Sequence, residues 1–213
     1  MSHPEWFLRV AHDLRNPLAP MQTATYLLRS GDIGGEEQAR MLEVIDRQGM
    51  RLAAMIDELA DGLRAEYGRL LGPLVETDLA TLVQLAANGL DAAPVELAQE
   101  QPLPVLADDA RLLQLLRVLR ELRLSPDEVL ASPVHVERHA GRVRVERLLA
   151  CPAELLAQPE QLLLAPLPPR YCEDSLGLQL PIAASIASAL GGQLQARDQD
   201  GMLALVLDLP LMA

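Results

Sequence analysis

The chain has 213 residues, enough for one large domain or two small ones, and half of these residues are apolar. Aromatic residues make up only 2% of the chain, so we expect a core of Leu, Ala and Val. The net charge of −12 argues against a nucleic-acid partner, because it would repel the phosphates. With no signal peptide and no apolar run long enough to span a bilayer, the sequence predicts a cytoplasmic protein without a membrane association.

The first predicted helix runs from Glu5 to Arg29 and carries the segment Val10–Leu18, which reads VAHDLRNPL. On this helix His12 faces outward, Asp13 is its direct neighbour, and Asn16 lies one turn further on. Residue 17 is a proline, which cannot donate to the carbonyl of Asp13, so we expect a bend after the histidine and a free carbonyl at Asp13. The inward seam of this helix consists of Phe7, Val10, Leu14, Pro17, Met21, Ala24 and Leu28.

A second helix is predicted from Glu36 to Tyr67, after a glycine-rich turn over Ser30–Gly35. Its apolar stripe follows a three–four spacing and contains Leu42, Ile45, Gly49, Leu52, Ile56, Leu59 and Leu63. A hairpin of two such helices leaves this stripe uncovered. A second copy of the chain would bury it in a four-helix bundle. The alternative is that the C-terminal half covers the stripe within one chain.

After a linker over Gly68–Pro73, the periodicity changes to that of a mixed helix and strand domain. We predict helices over Leu79–Leu90, Ala110–Leu124 and Leu176–Leu190, with N-caps at Thr77 or Asp78 and at Asp108 or Asp109. The predicted strands are Val95–Leu97, Val105–Leu106, the hairpin Val134–Arg138 with Val143–Glu146, and the hairpin Gln193–Arg197 with Met202–Leu209. Residues 150–170 show no clear period. This order predicts a sheet with its helices on one face.

The segment around His12 resembles the phosphoacceptor box of the sensor histidine kinases, which reads His, an acidic residue, Leu, Arg, Asn, Pro and Leu. Three segments further along resemble the ATP-binding domain of the same family. Ala110–Leu116 is similar to its asparagine-containing helix, Leu176–Leu180 with Ala189–Gly192 to its second glycine box, and Leu207–Leu211 to its terminal strand.

The resemblance covers almost the whole chain and implies an α+β fold. Residues 1–68 would form a dimerisation and phosphotransfer hairpin, and residues 73–213 an α/β sandwich like the ATPase fold of histidine kinases and Hsp90. In the family, the box histidine is phosphorylated, which implies His12 as the phosphoacceptor. We expect Asp13 to hold the ring tautomer and Asn16 to orient a water.

Several departures from the family pattern predict that the C-terminal domain is degenerate. The two asparagines of the family, one of which holds Mg²⁺, fall at Val118 and Leu122. The Asp-x-Gly-x-Gly segment that reads adenine is replaced by Arg147–Pro152, and Gln179 stands at a glycine position of the phosphate loop. Since phosphoryl transfer from ATP depends on positioning and on Mg²⁺, we expect no useful ATP binding and no intrinsic cofactor.

The first hypothesis for function is therefore a histidine phosphotransferase that passes phosphoryl groups through His12 between receiver domains, with Mg²⁺ supplied by the receiver. Its partners would be response regulators and an upstream hybrid histidine kinase, contacted in part by Arg9 and Arg15, within a homodimer. Because the box begins close to Met1, any signal would arrive through a partner. Three alternatives stay open: a phosphatase for a phosphorylated receiver, a pseudokinase that only binds, and an active ATP-dependent kinase.

Overall fold

The computed structural model describes residues 3–31, 33–86, 92–98, 102–125, 132–172 and 174–212. The N-terminal part is a helical hairpin of α1 (His3–Arg15), α2 (Leu18–Ser30) and α3 (Gly35–Glu66). The turn and the long second helix were predicted within a residue or two. Gly31 ends α2 with φ of 74°, a left-handed conformation that glycine adopts without steric cost.

The first helix differs from the prediction, because it ends at Arg15 and a new helix begins at Leu18. The amide of Asn16 donates to the carbonyl of His12 over 3.2 Å and to that of Asp13 over 3.3 Å. The expectation of a free Asp13 carbonyl was therefore wrong. Pro17 removes one helical donor, and the chain tightens into a three-residue turn that supplies another.

The C-terminal part contains a five-stranded sheet in the order β2-β4-β5-β7-β6, and a two-stranded sheet of β1 and β3. Only β2 and β4 pair in parallel; the other neighbours are antiparallel. The strands are β1 (Val75–Asp78), β2 (Val95–Leu97), β3 (Pro104–Ala107), β4 (Val134–His139), β5 (Arg142–Leu149), β6 (Gln193–Gln199) and β7 (Met202–Pro210). All of these strands except β1 were predicted, and most of them extend beyond their predicted ranges.

The helices of this part are α4 (Leu79–Leu85), α5 (Asp109–Glu121), the short α6 (Ala153–Leu156) and α7 (Gln179–Ala189), with 3-10 turns at Pro159–Leu163 and Pro169–Tyr171. Asp78 and Asp108, each one of two candidates in the prediction, are the N-caps of α4 and α5. Their carboxylates accept hydrogen bonds from backbone amides in the first turn of each helix. Three helices are shorter than predicted. The helix α7 begins at Gln179 rather than Leu176, and α5 ends at Glu121 rather than Leu124. The described part of α4 ends at Leu85, while residues 87–90 of the prediction lie outside the described residues.

A single core of aliphatic side chains joins the sheet to α5 and α7. Four leucines of α5 are fully buried, and they recur at the three–four spacing that places them on one helix face: Leu112, Leu115, Leu116 and Leu119. Arg147, on an inward position of β5, is also fully buried and donates to the carbonyls of Leu119 and Leu122 at the end of α5. The Arg147 guanidinium therefore caps the C-terminal end of α5.

The hairpin is fixed to the C-terminal part by Asp61 of α3. Its carboxylate accepts hydrogen bonds from Arg111 at 2.7 Å, Gln114 at 2.8 Å and Arg64 at 2.8 Å. Burial alone raises the pKa of Asp61, but these three donors outweigh it and bring the pKa below its ordinary value. The carboxylate is therefore ionised at neutral pH and stabilises the docked position of α3.

Candidate functional site

The predicted phosphoacceptor His12 lies in the last turn of α1, and 74% of its side chain is exposed. Its Nδ1 is 3.2 Å from Oδ1 of Asp13. Because an ionised carboxylate can only accept, this contact places the proton on Nδ1 and leaves the lone pair on Nε2. The outward position predicted from the helical wheel is confirmed, and in this tautomer Nε2 is the nitrogen with the available lone pair.

Asp13 is less exposed than His12, with 20% of its side chain accessible, because it also contacts Arg9. Nε of Arg9 lies 3.5 Å from Oδ2 of Asp13, and Nη2 of Arg9 donates to the carbonyl of Leu167 over 2.9 Å. We predicted Arg9 as a partner contact, but in this structure it is engaged within the chain. Arg15 is exposed, and a role for it in partner binding stays a prediction.

Asn16 is exposed in the turn between α1 and α2, where its backbone amide bonds the carbonyl of His12. Together with Arg9 and Asp13 it lines a pocket of about 320 Å³ between the hairpin and the segment before α7. The other lining residues are Arg51, Met55, Pro169, Cys172 and Ser175. Sequence reasoning missed Arg51 and Ser175, since no local pattern connects positions so far apart in the chain.

The two apolar surfaces of the hairpin are covered to different extents. In the seam of α1 and α2, Val10, Pro17 and Ala24 are buried, as predicted. On α3, three members of the predicted stripe remain exposed: Leu42 at 58%, Ile56 at 50% and Leu63 at 40%. The C-terminal part instead covers another face of α3, including Met55 and Asp61. Within one chain, these three side chains of the stripe therefore stay uncovered, whereas Leu59 packs against the core.

A cleft of about 620 Å³ lies between α3, α5 and α7. Its lining includes five carboxylates and one guanidinium, that of Arg117; the carboxylates are Asp57, Glu58, Asp61, Glu121 and Asp174. Asp61 and Asp174 are paired with arginines, Asp174 with Arg51 at 3.3 Å. Among the charged side chains that line this cleft, the acidic ones therefore outnumber the basic ones.

The positions that correspond to nucleotide ligands in the predicted alignment do not fit Mg·ATP. Leu122 is buried, and Val118 lines the cleft with an aliphatic side chain. Residues 147–149 do not form a loop but continue β5, paired with residues 203–205 of β7. In the described part of the chain, no group of three or more His, Cys, Asp or Glu side chains is placed to hold a metal ion.

The loop before α7 is occupied by a carboxylate of the hairpin. Oε2 of Glu58 accepts from the amide of Leu176 at 2.7 Å, and Oε1 accepts from that of Leu178 at 2.5 Å. Gly177 between them has φ of 78°, and a side chain there would lie 2.8 Å from the backbone of Leu167, so only glycine fits. The sequence-based analysis identified this glycine, but not Glu58, whose carboxylate binds the amides on either side of it.

Comparison with known proteins agrees with this geometry. Residues 5–68 match the family model of the His Kinase A (phospho-acceptor) domain. The chain is 31% identical over 226 aligned positions to the sensor protein KdpD of Mycobacterium tuberculosis, an alignment that covers 94% of this chain and 25% of KdpD. The chain thus spans about a quarter of the length of the curated relatives it matches.

Solved structures of histidine kinases share the fold. Histidine kinase AdeS of Acinetobacter baumannii matches with a TM-score of 0.64 and 17% identity, over 95% of this chain and 98% of AdeS. Histidine kinase ThkA, solved in complex with response regulator protein TrrA, matches with a TM-score of 0.68 and 20% identity, over 98% of this chain and 61% of the matched chain. The α+β fold predicted from the sequence, a helical hairpin followed by an α/β domain, is confirmed, and the hairpin matches a phospho-acceptor domain.

None of the helices described in the structure combines the length and the apolar character that a bilayer span needs.

Proposed function

We propose that this chain is a sensor histidine kinase core that acts on a phosphorylated response regulator through the phosphoacceptor box around His12, without using ATP. The observation that supports it most strongly is the exposed His12 ring, whose Nδ1 is held by Asp13 inside a matched phospho-acceptor domain. The acidic cleft and its aliphatic metal positions favour a substrate that brings its own phosphoryl group and Mg²⁺. A phosphorylated receiver domain meets that requirement.

Two reactions are open to this arrangement. In transfer, Nε2 of His12 attacks the phosphorus of the aspartyl phosphate, the N–P bond forms, and the P–O bond to the receiver breaks, releasing its carboxylate. In hydrolysis, a water held by Asn16 attacks the same phosphorus, and the products are inorganic phosphate and the free carboxylate. Mg²⁺ bound by the receiver offsets the charge in both cases. We place hydrolysis first, which makes this a phosphatase-type core.

The second candidate is a relay transferase, in which phospho-His12 passes its phosphoryl group to another receiver. It is favoured by the exposure of His12 outside the pocket that Asp13 and Asn16 line, since an exposed ring is open to successive partners. This role needs an upstream hybrid kinase and a downstream regulator. Both candidate functions use a response regulator as the partner, as ThkA does in its complex with TrrA.

The test is incubation of the chain with a receiver domain carrying a ³²P-aspartyl phosphate and Mg²⁺. We expect the receiver to lose its label faster than it does alone, with inorganic phosphate as the main product and a minor, transient acid-labile label on His12. Stable acid-labile label on the chain, passed on to a second receiver, would establish the relay instead. A receiver that keeps its label, with none on the chain, would contradict both candidates and leave a binding module.

Titration of the chain with Mg·ATP should give no measurable heat and no thermal shift. Loss of one hydrogen bond to a charged group costs about 1.5–3 kcal/mol, and each 1.4 kcal/mol is about tenfold in affinity. Val118 and Leu122 offer no polar ligand for the metal, and carboxylates line the cleft. The affinity for Mg·ATP should therefore be weaker than about millimolar. Micromolar binding with label transfer from ATP to His12 would mean an active kinase.

A further inference from the structure

The segment before α7 lies against the hairpin next to the phosphoacceptor box. We define the lid segment as residues 167–172 and 174–178. Pro169, Cys172 and Ser175 of this segment form one wall of the pocket whose opposite wall contains Asp13 and Asn16. The lid segment therefore faces, across this pocket, the two residues that we expect to assist His12.

Three residues of the hairpin hold the lid segment in this position. Glu58 accepts from the amides of Leu176 and Leu178. Arg9 donates to the carbonyl of Leu167 at 2.9 Å, and the Nε of Arg51 lies 3.3 Å from the carboxylate of Asp174. Asp174 is 87% exposed, so its ion pair contributes little, whereas the bonds to Glu58 are short and partly buried.

The contact of Glu58 carries an energetic cost. Burial raises the pKa of Glu58 above its ordinary value, although the backbone bonds and the charge of Arg9 act in the opposite direction. The Glu58 carboxylate is thus shielded from water, and the amides of the loop before α7 and the charge of Arg9 compensate its burial. The loop can therefore be bound to Glu58 or released from it, because the carboxylate regains its hydration when the loop leaves.

We propose that Glu58 is a latch that holds the lid segment against the hairpin, across the pocket from Asp13 and Asn16, and that its release widens the approach of a partner to this side of the phosphoacceptor box. The latch links the cleft between α3, α5 and α7 to the box, since Glu58 lines the first and the lid segment lines the pocket beside the second. The closed state is autoinhibitory for a partner that must reach Asp13 and Asn16 through this pocket. That consequence rests on the proposed function, whereas the closure itself does not.

Amide hydrogen exchange tests the closure without any activity. The informative amide is that of Leu167, because it bonds the carbonyl of Gly177 at 2.9 Å and not Glu58. In Glu58→Gln, which loses the charge and one acceptor, we expect exchange at Leu167 to rise about tenfold or more, the size expected for losing a charged hydrogen bond. Trypsin should also cleave faster after Arg170, which lies in the lid segment and is exposed.

Asp57→Asn is the matched control, because it removes the same charge from the same cleft one residue away and has no bond to the lid segment among those identified. Its exchange at Leu167 should stay within about twofold of the wild type. Glu58→Ala provides a second variant that removes both acceptors and should exceed Glu58→Gln. An unchanged Leu167 in both Glu58 variants, an equal rise in Asp57→Asn, or an equal rise at Leu205 of β7 would each overturn the latch.

A second measurement tests autoinhibition. With the labelled receiver, Glu58→Gln should remove the label several-fold faster than the wild type. If exchange at Leu167 rises while this rate stays the same, the latch exists but does not inhibit, and that part of the proposal is wrong. If neither protein removes label, the proposed function fails, while the exchange result still decides the closure.

Discussion

Replacing His12 with glutamine should reduce phosphoryl transfer to the chain to background. The amide of glutamine has no lone pair of imidazole basicity at the position of Nε2, so the N–P bond cannot form. The fold should persist, because the side chain is 74% exposed and substitutions at such positions usually change stability by about 0.5 kcal/mol or less. The measurement is acid-labile ³²P on the chain after incubation with the labelled receiver, with thermal unfolding run in parallel.

His135 offers a closely matched control for this experiment. It is 55% exposed, and its Nδ1 lies 3.1 Å from Oε2 of Glu96, so it reproduces the pairing of an exposed imidazole with a carboxylate. It lies on β4, outside the phosphoacceptor box. His135→Gln should therefore label like the wild type. Label that survives in His12→Gln and disappears in His135→Gln would move the phosphorylated residue to the sheet and reject the assignment of His12.

The substitution Ile56→Asp should convert a dimer into monomers or aggregates. Ile56 lies seven residues from Leu63 and fourteen from Leu42, which places the three exposed side chains on one stripe of α3. If a second copy buries this stripe, an unpaired carboxylate there costs several kcal/mol, or two or more orders of magnitude in the dissociation constant. Light scattering of both proteins at micromolar concentration measures the effect.

Leu164→Asp is the corresponding control, because Leu164 is 74% exposed and lies outside the hairpin. It changes an exposed leucine into a charge without touching the stripe, and it should leave the molar mass unchanged. A wild-type chain that is monomeric at micromolar concentration would contradict the four-helix bundle. The exposed stripe would then require another partner.

Features encoded by neighbouring residues could be predicted from the sequence. The box around His12 has its chemistry within one helical turn, so the exposed ring and its carboxylate neighbour followed from the order of the letters. The caps at Asp78 and Asp108 and the hairpin at Gly141 depend on residues within a few positions of each other, and these were also predicted. A bend near Pro17 was expected, but the division into two helices and the hydrogen bonds of the turn between them were not.

Contacts between distant parts of the chain could not be predicted in the same way. Glu58 and Leu178 are 120 positions apart, and Arg9 and Leu167 are 158 apart. No periodicity within α3 distinguishes Glu58 from the other acidic residues of its exposed faces. The strand β1 escaped prediction for a related reason: its four residues pair only with β3, and alone they show one buried position.

The continuous helix α3 has a consequence for how copies of this protein diverge after gene duplication. Ile56 and Glu58 are two positions apart on one helix, which separates their directions by about 200°. The side chains expected to determine dimer specificity and the side chain of Glu58 therefore lie on opposite sides of α3. A paralogue can change its side chains at Leu42, Ile56 and Leu63 to avoid mixed pairs while its regulation stays intact. Insulation between duplicated copies would then need few compensating substitutions elsewhere.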